Sequence, residues 1–193
     1  MKKLIIYSIL AICTVAFSCG NYNSGNQQDD KVDNSKLSYQ TFKDAGFRVK
    51  CPAVLRVNKK LLEMAWQKGD VTMAFSYVGA TNKDDAAKAC IYQISISDWT
   101  KDSEYKALSS AEQQQLDKED LDGYAEDLAK GGVAHDFTTF CGARAVEYTT
   151  KQNGVPMVAI FFYKNGHAYQ LQVSSRHNLL NKFEPFVQSF ELL

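Results

Sequence analysis

The pattern of apolar residues predicts an α+β domain, an antiparallel sheet of about six strands flanked by helices in an α/β/α sandwich. Three observations carry this prediction. Short segments with two-residue alternation fill the first half of the chain and resume after residue 142. One long amphipathic segment with start and stop signals separates the two sets. Two Asn-Gly turns then join three successive apolar runs, which predicts a meander.

In chain order, residues 46–51 alternate, with Phe47, Val49 and Cys51 on one side and Arg48 and Lys50 on the other. Pro52 ends that strand because it has no amide hydrogen to give to a ladder. Residues 61–67 and 71–78 flank Lys68-Gly69-Asp70, a spacing that predicts a hairpin, with Val71, Met73, Phe75 and Tyr77 sharing a face. Asn82-Lys83-Asp84-Asp85 reads as a polar loop. Residues 90–96 form a strand with Cys90, Tyr92, Ile94 and Ile96 inward and Ile91, Gln93 and Ser95 on the other face.

Ser109-Ser110-Ala111-Glu112 is a capping box, in which the serine hydroxyl takes an orphan amide and the glutamate reaches back. A helix follows to about residue 130, with Leu121, Tyr124, Ala125 and Leu128 on its apolar stripe. Asp117, Lys118, Glu119, Asp122 and Glu126 are expected to face water. Gly131-Gly132 stops the helix. Residues 143–150, 155–163 and 168–174 make the meander, through Asn153-Gly154 and Asn165-Gly166. Its middle strand is apolar throughout, as a strand buried on both faces must be. Leu179, Phe183, Phe186, Val187 and Phe190 recur at helical spacing. Pro185 requires that the helix over 178–189 either start late, near Asn181, or bend. Ser189-Phe190-Glu191-Leu192 fits a short closing strand.

Residues 38–193 suit one domain with one core, preceded by two segments of different character. Met1-Lys2-Lys3 is a positive start. Leu4 to Phe17 is almost unbroken apolar sequence, too short to span a bilayer comfortably. It ends in Ala16-Phe17-Ser18-Cys19. This resembles a bacterial lipoprotein signal, with those four residues as the lipobox. Ser18 and Cys19 match the common pattern, and Ala16 and Phe17 depart from it. The resemblance implies that residues 1–18 are removed and that the Cys19 thiol carries a diacylglycerol, each buried methylene contributing roughly 0.8 kcal/mol to anchoring. The competing readings are an ordinary secretory signal cut near Ser18 and a retained membrane helix. Residues 19–37 are mostly Asn, Ser, Gly, Gln and Asp, a composition expected to form a flexible tether. Gln27-Gln28-Asp29-Asp30 is similar to signals that route some lipoproteins to the outer cell surface, and reads more simply as solvated linker. The expected location is the bacterial cell envelope, facing the periplasm or the cell surface.

The chain has a formal net charge of zero, with 22 basic and 22 acidic residues. No basic face is evident, which argues against nucleic acid as a partner. Cys51, Cys90 and Cys141 remain in the domain. Outside the cytoplasm one pair among them can form a disulfide, and spacing does not choose it. Three buried free thiols are the alternative. No Cys-x-x-Cys occurs, so a redox motif or a structural zinc site is not expected.

The order of elements resembles the Mog1/PsbP-like fold. The residues that carry the resemblance are Gly46-Phe47-Arg48-Val49 running into Pro52, Gly142-Ala143-Arg144-Ala145 entering the meander, Tyr169 after the turn, and the closing Ser189-Phe190. PsbP-type members assist photosystem II and Mog1 binds a small GTPase. The resemblance therefore implies a non-catalytic binding or assembly module, and it transfers no site residue.

The residues themselves show no catalytic, metal or cofactor motif. His135, His167 and His177 have no ligand spacing. His135-Asp136 with Cys141 would make a nucleophilic set only if the fold brought them together. The carboxylates between Asp117 and Asp127 read as a solvated helix face, and Asp84-Asp85 is too sparse for a calcium loop. Phe161, Tyr163 and Tyr169 are candidate lining for a ligand groove, with core packing as the alternative. The expectation is a lipid-anchored module that binds a protein partner or small ligand. An enzyme with an unrecognised site and a structural envelope component are the alternatives.

Overall fold

A computed structural model describes residues 32–70, 72–85 and 87–193. The signal segment, Cys19, Val71 and Ala86 lie outside the described residues. The last stretch of the expected tether is docked: a 3-10 turn at Asn34–Lys36 sits against the domain, with the Asn34 amide donating to the Pro185 carbonyl and the Lys50 ammonium donating to the Asn34 carbonyl at 3.1 Å.

The elements run β1 (Tyr39–Phe42), β2 (Phe47–Lys50), β3 (Arg56–Val57), α1 (Lys59–Gln67), β4 (Met73–Thr81), β5 (Cys90–Asp98), α2 (Ser103–Lys106) and α3 (Ser110–Lys130). They continue with β6 (Ala134–Phe140), β7 (Ala143–Gln152), β8 (Val155–Lys164), β9 (His167–Ser175), α4 (Leu179–Gln188) and β10 (Glu191–Leu192). A seven-stranded antiparallel sheet has the order β3-β4-β5-β9-β8-β7-β6, and a separate three-stranded sheet has the order β1-β2-β10. The α+β class with helices on both faces is as expected. The strand number is larger, and two sheets replace one.

The meander forms over the predicted strands, with Phe162 opposite Tyr169 and Phe161 opposite Val146. Both Asn-Gly turns hold Asn and Gly at positive φ, the geometry that matches a hairpin's right-handed twist. Cys141-Gly142 does the same between β6 and β7, with Cys141 at φ +50, so this cysteine sits in a turn and not on a strand. Sequence gave no cue to β6, an exposed edge strand without alternation that is held by its hairpin to β7.

Residues 61–67, expected as a strand, are helix α1. The stretch Lys59–Gln67 has no β-branched residue, and the Asn58 side chain accepts from the Leu61 amide, so propensity and cap agree on a helix. Lys68-Gly69-Asp70 therefore links a helix to β4. The expected shared face of β4 is broken by a register shift between Met73 and Phe75. Helix α3 carries its full capping box, and the left-handed residue at its end is Gly132. Helix α4 starts early, at Leu179, and keeps Pro185 in its interior.

Strand β8 separates two cores. On one face Tyr92, Ile94, Val158, Ile160, Phe162 and Leu171 pack under Phe183, Phe186 and Val187 of α4 and under Phe47 and Val49 of β2. Here Phe162 stacks on Tyr169 at 4.9 Å, and Phe47 on Phe190 at 5.3 Å. On the other face Val146, Ala159, Phe161 and Tyr163 pack under Leu121, Ala125 and Leu128 of α3.

Two glycines separate tight from open sites. A Cβ on Gly79 would lie 2.8 Å from the Val54 carbonyl oxygen and 2.9 Å from the Ala53 Cβ, whereas one on Gly123 would meet nothing within 4 Å. In urea unfolding, Gly79→Ala is expected to destabilise by roughly 1–3 kcal/mol. Gly123→Ala, in the middle of α3, should stabilise by about 0.5–1 kcal/mol. A neutral Gly79→Ala would show that the β4 edge is looser than described.

Candidate functional site

On the α3 face, the first half of the helix brings carboxylates onto the buried stripe. Asp117 is four residues before Leu121, and Asp120 four before Tyr124, so helical geometry sets both beside the apolar residues. Both are half-buried, which corrects their expected place on a solvated face. Two other elements complete the cluster. Helix α2 starts on an Asp102 cap that accepts from the Tyr105 amide at 2.9 Å, and Gln113 of α3 donates to the Tyr105 carbonyl at 2.9 Å. This fixes the Tyr105 ring against the β8–β9 turn, where a Cβ on Gly166 would lie 3.3 Å from it. Strand β8 supplies Tyr163.

The Tyr105 hydroxyl donates to Asp117 at 3.1 Å. Burial, then the charge of Asp117, pushes the Tyr105 phenol up to about 12. Burial also raises Asp117, against the lowering effect of that hydrogen bond. Asp120 is the most displaced carboxyl: burial, then Asp117 and Glu119, move it up to about 7. The Tyr163 hydroxyl is buried without a hydrogen-bond partner, although the whole residue is only 7% exposed. Burial and then the charges of Asp120, Asp117 and Tyr105 hold its phenol well above the usual range.

The other carboxylates of α3 are engaged. Glu112 is in the capping box, Glu119 accepts from Gln115, Asp122 pairs with Arg144, and Glu126 and Asp127 pair with Lys130. Among the described residues no ion pair reaches Asp117 or Asp120. Beyond Tyr163 the polar line continues to the Tyr148 hydroxyl, which accepts from Gln170 at 2.6 Å and from Tyr124 at 2.8 Å. Ser76, Gln93, Ser95 and Gln172 are buried on the same face of the sheet. The facing of Gln93 and Ser95 was legible from strand alternation, and the pairing of Tyr105 with Asp117 was not. The four-residue spacing from Asp117 and Asp120 to the apolar stripe was its available signal.

The candidate groove divides. Phe161 and Tyr163 share the α3 face, their rings 5.3 Å apart, while Tyr169 lies on the opposite face against Phe162. Cross-strand pairing dictates this, since Tyr169 is opposite Phe162 and Ala168 opposite Tyr163. The histidines do not converge. His135 is on the edge strand with its Nδ1 at 3.1 Å from the Val133 carbonyl, and Cys141 is six residues further along, about 20 Å at strand rise. No His135–Asp136–Cys141 set forms. His167 lies 3.6 Å from Asp98, whose carboxyl is raised by burial but held below its ordinary value overall by Thr100, His167 and Lys101. Among the described residues no group of three or more His, Cys, Asp or Glu is placed to hold a metal.

All three domain cysteines are free thiols. Burial pushes the Cys51 thiol up to about 12, with the neighbouring Cys90 adding to the shift. Cys51 and Cys90 are buried in the α4-side core, and Cys141 packs against it from the β6–β7 turn. The buried Lys182 ammonium donates to the Ser175 hydroxyl at 3.1 Å and to the His177 carbonyl at 2.7 Å. That pairing could suggest an activated serine. Ser175, however, is fully enclosed and its hydroxyl donates to the Ala89 and His177 carbonyls, so the group clamps the β9–α4 connection.

No family model matches the chain, and no curated protein matches its sequence. Among solved structures, the chain is similar to the solution structure of cyanobacterial PsbP from Synechocystis sp., at 10% identity and a TM-score of 0.45. The match covers 88% of this chain and 98% of that one. The likeness concerns the chain path alone.

Asp120 ties stability to pH. Its carboxyl holds a proton more tightly folded than unfolded, so the native state binds more protons between pH 3.8 and about 7, and stability falls as pH rises through that window. Asp120→Asn should flatten the fall. Above neutral pH it should add roughly 1–2 kcal/mol, a value reduced for solvent screening at a half-buried group. Parallel pH-stability curves for the two proteins would place the proton elsewhere.

Proposed function

We propose that the chain is a lipid-anchored envelope protein whose domain is a non-catalytic binding or assembly module. The observation that carries this reading is the N-terminal pattern of Lys2-Lys3, the apolar run to Phe17, and Cys19. Cys19 stands fifteen residues before the docked Asn34, so the linking segment spans at most about 50 Å. The domain would stay within that distance of the bilayer holding the acyl chains. The side chains support a binding role over a covalent one. Cys51 and Cys90 are held as protonated thiols by burial, and Ser175 is enclosed by its clamp.

A second reading has one observation in its favour. Asp120 titrates near neutrality, where a general acid–base group works best. A turnover assay that loses activity on Asp120→Asn would favour that enzyme reading.

The anchor is tested in the native host. The mature protein should sediment with membranes, and its intact mass should show residues 1–18 absent and acyl chains on Cys19. Cys19→Ala should release the domain to the soluble fraction. An unacylated wild-type protein found free in solution would remove the anchor from the reading.

A further inference from the structure

We propose that strand β6 is the docking edge for a second copy of this chain, which pairs through its own β6 to give a twofold dimer with one continuous sheet. The inference goes beyond the function proposed above and does not rest on it. The seven-stranded sheet has two edges. At one, β3 is two residues long, and a strand that short offers little to pair with. At the other, β6 runs seven residues along β7 without a register shift, and most of it is exposed. Sheet edges are normally blunted by lysine, proline, a bulge or a covering segment. Residues 134–140 have no lysine or proline, and their ladder has no bulge. Among the described residues no strand pairs with the outer side of β6.

The hairpin geometry fixes which groups face outward. Cys141-Gly142 is a two-residue turn with both φ positive, so Phe140 and Ala143, which close it, exchange hydrogen bonds. Bonded and non-bonded pairs alternate along an antiparallel ladder. Phe140, Thr138 and Asp136 therefore bond to β7, and the N–H and C=O of His135, Phe137 and Thr139 point away from it. This outward set matches itself, which selects a second copy over a foreign strand. A twofold axis through Phe137 sets Phe137 against its own copy and His135 against Thr139, so every outward donor meets an acceptor. The charges agree: Asp136, the one carboxylate of the strand, meets Thr138, and no like charges face each other across the joint. The central side chain, Phe137, is 46% exposed, with the Arg144 guanidinium 3.8 Å from its ring centroid. Pairing sets the two exposed rings against each other. Such an axis stands perpendicular to the sheet, so both copies receive their N-terminal segments on the same, α4 side. A single strand pair is smaller than the roughly 1,200 Å² of a standard interface, so association should be weak and concentration-dependent.

The experiment is sedimentation of the full chain in density-matched detergent, with cysteine cross-linking to read the register. Mass should rise from monomer towards dimer with concentration. Directly opposed residues of a bonded pair lie about 5.5 Å apart at Cα, within disulfide reach. Under copper–phenanthroline oxidation, Phe137→Cys should therefore cross-link to its copy beyond the level the native thiols give. Thr139→Cys should do so only when His135→Cys is also present. Thr139→Pro removes an N–H that faces outward and none that bonds to β7. It should weaken association about ten-fold through the lost hydrogen bonds, and leave the urea midpoint of the monomer unchanged. A chain that is monomeric at every concentration overturns the inference. So does Thr139→Cys cross-linking alone as well as Phe137→Cys, or a dimer indifferent to Thr139→Pro. Protection of the outward β6 amides from hydrogen exchange in a chain that sediments as a monomer would put another segment on the edge and overturn it as well.

Discussion

Burial of β8 and β9 on both faces is the constraint from which the rest of the molecule follows. A strand covered on two sides has no solvent face to hold polar residues, so every position must pack or find an internal partner. Val158, Ile160, Phe162, Leu171 and Val173 meet this on one side with aliphatic and aromatic contacts beneath α4. The opposite side meets it in two different ways. Under α3, Ala159 and Phe161 continue as an apolar core. Towards β5 and β4, Gln170, Gln172, Gln93 and Ser95 take over, and their side chains must bond to one another or to tyrosine hydroxyls.

That change from apolar to polar gives the α3 face its unusual chemistry. A helix lying across the boundary must present leucine to one part and acceptors to the other. Leu121, Ala125 and Leu128 serve the first need, while Asp117 and Asp120 fall at the end nearer Tyr163 and Tyr105. Asp117, bonded to the Tyr105 phenol, and Asp120 are half-buried and lose water without gaining a cation. Burial and mutual repulsion then raise their proton affinity together. The same groups on the outer side of α3 meet Lys130 and Arg144 in solvent, where such pairs contribute little.

Where local chemistry and tertiary packing agreed, the sequence was legible. The capping box at Ser109, both Asn-Gly turns and the doubly apolar β8 each carry a self-contained signal, and each forms where it was read. Helix α1 was misread because Gly69-Asp70 between apolar runs imitates a hairpin, while the signs of a helix lay in propensity and in the Asn58 cap. Strand β6 carries no periodic signal, since an edge strand with one exposed face and a non-asparagine turn leaves little mark on composition. The acid–phenol cluster was hidden for a different reason. Asp117 was visible as a carboxylate, but its partner Tyr105 lies 12 residues away on another helix and meets it only through the fold.

Topology also relates the point where the chain enters the domain to the carboxylates of α3. The chain enters the described domain at Asn34, bonded to Pro185 of α4, on the face of the sheet that holds the larger aromatic core. Asp117, Asp120 and Tyr163 lie across the sheet, beneath α3. Each layer contact adds about 10 Å, so the sheet and one helix layer on each side separate the entry point from the carboxylates by roughly 20 Å. The described chain therefore enters on the α4 side, and the α3 side is turned away from that point of entry.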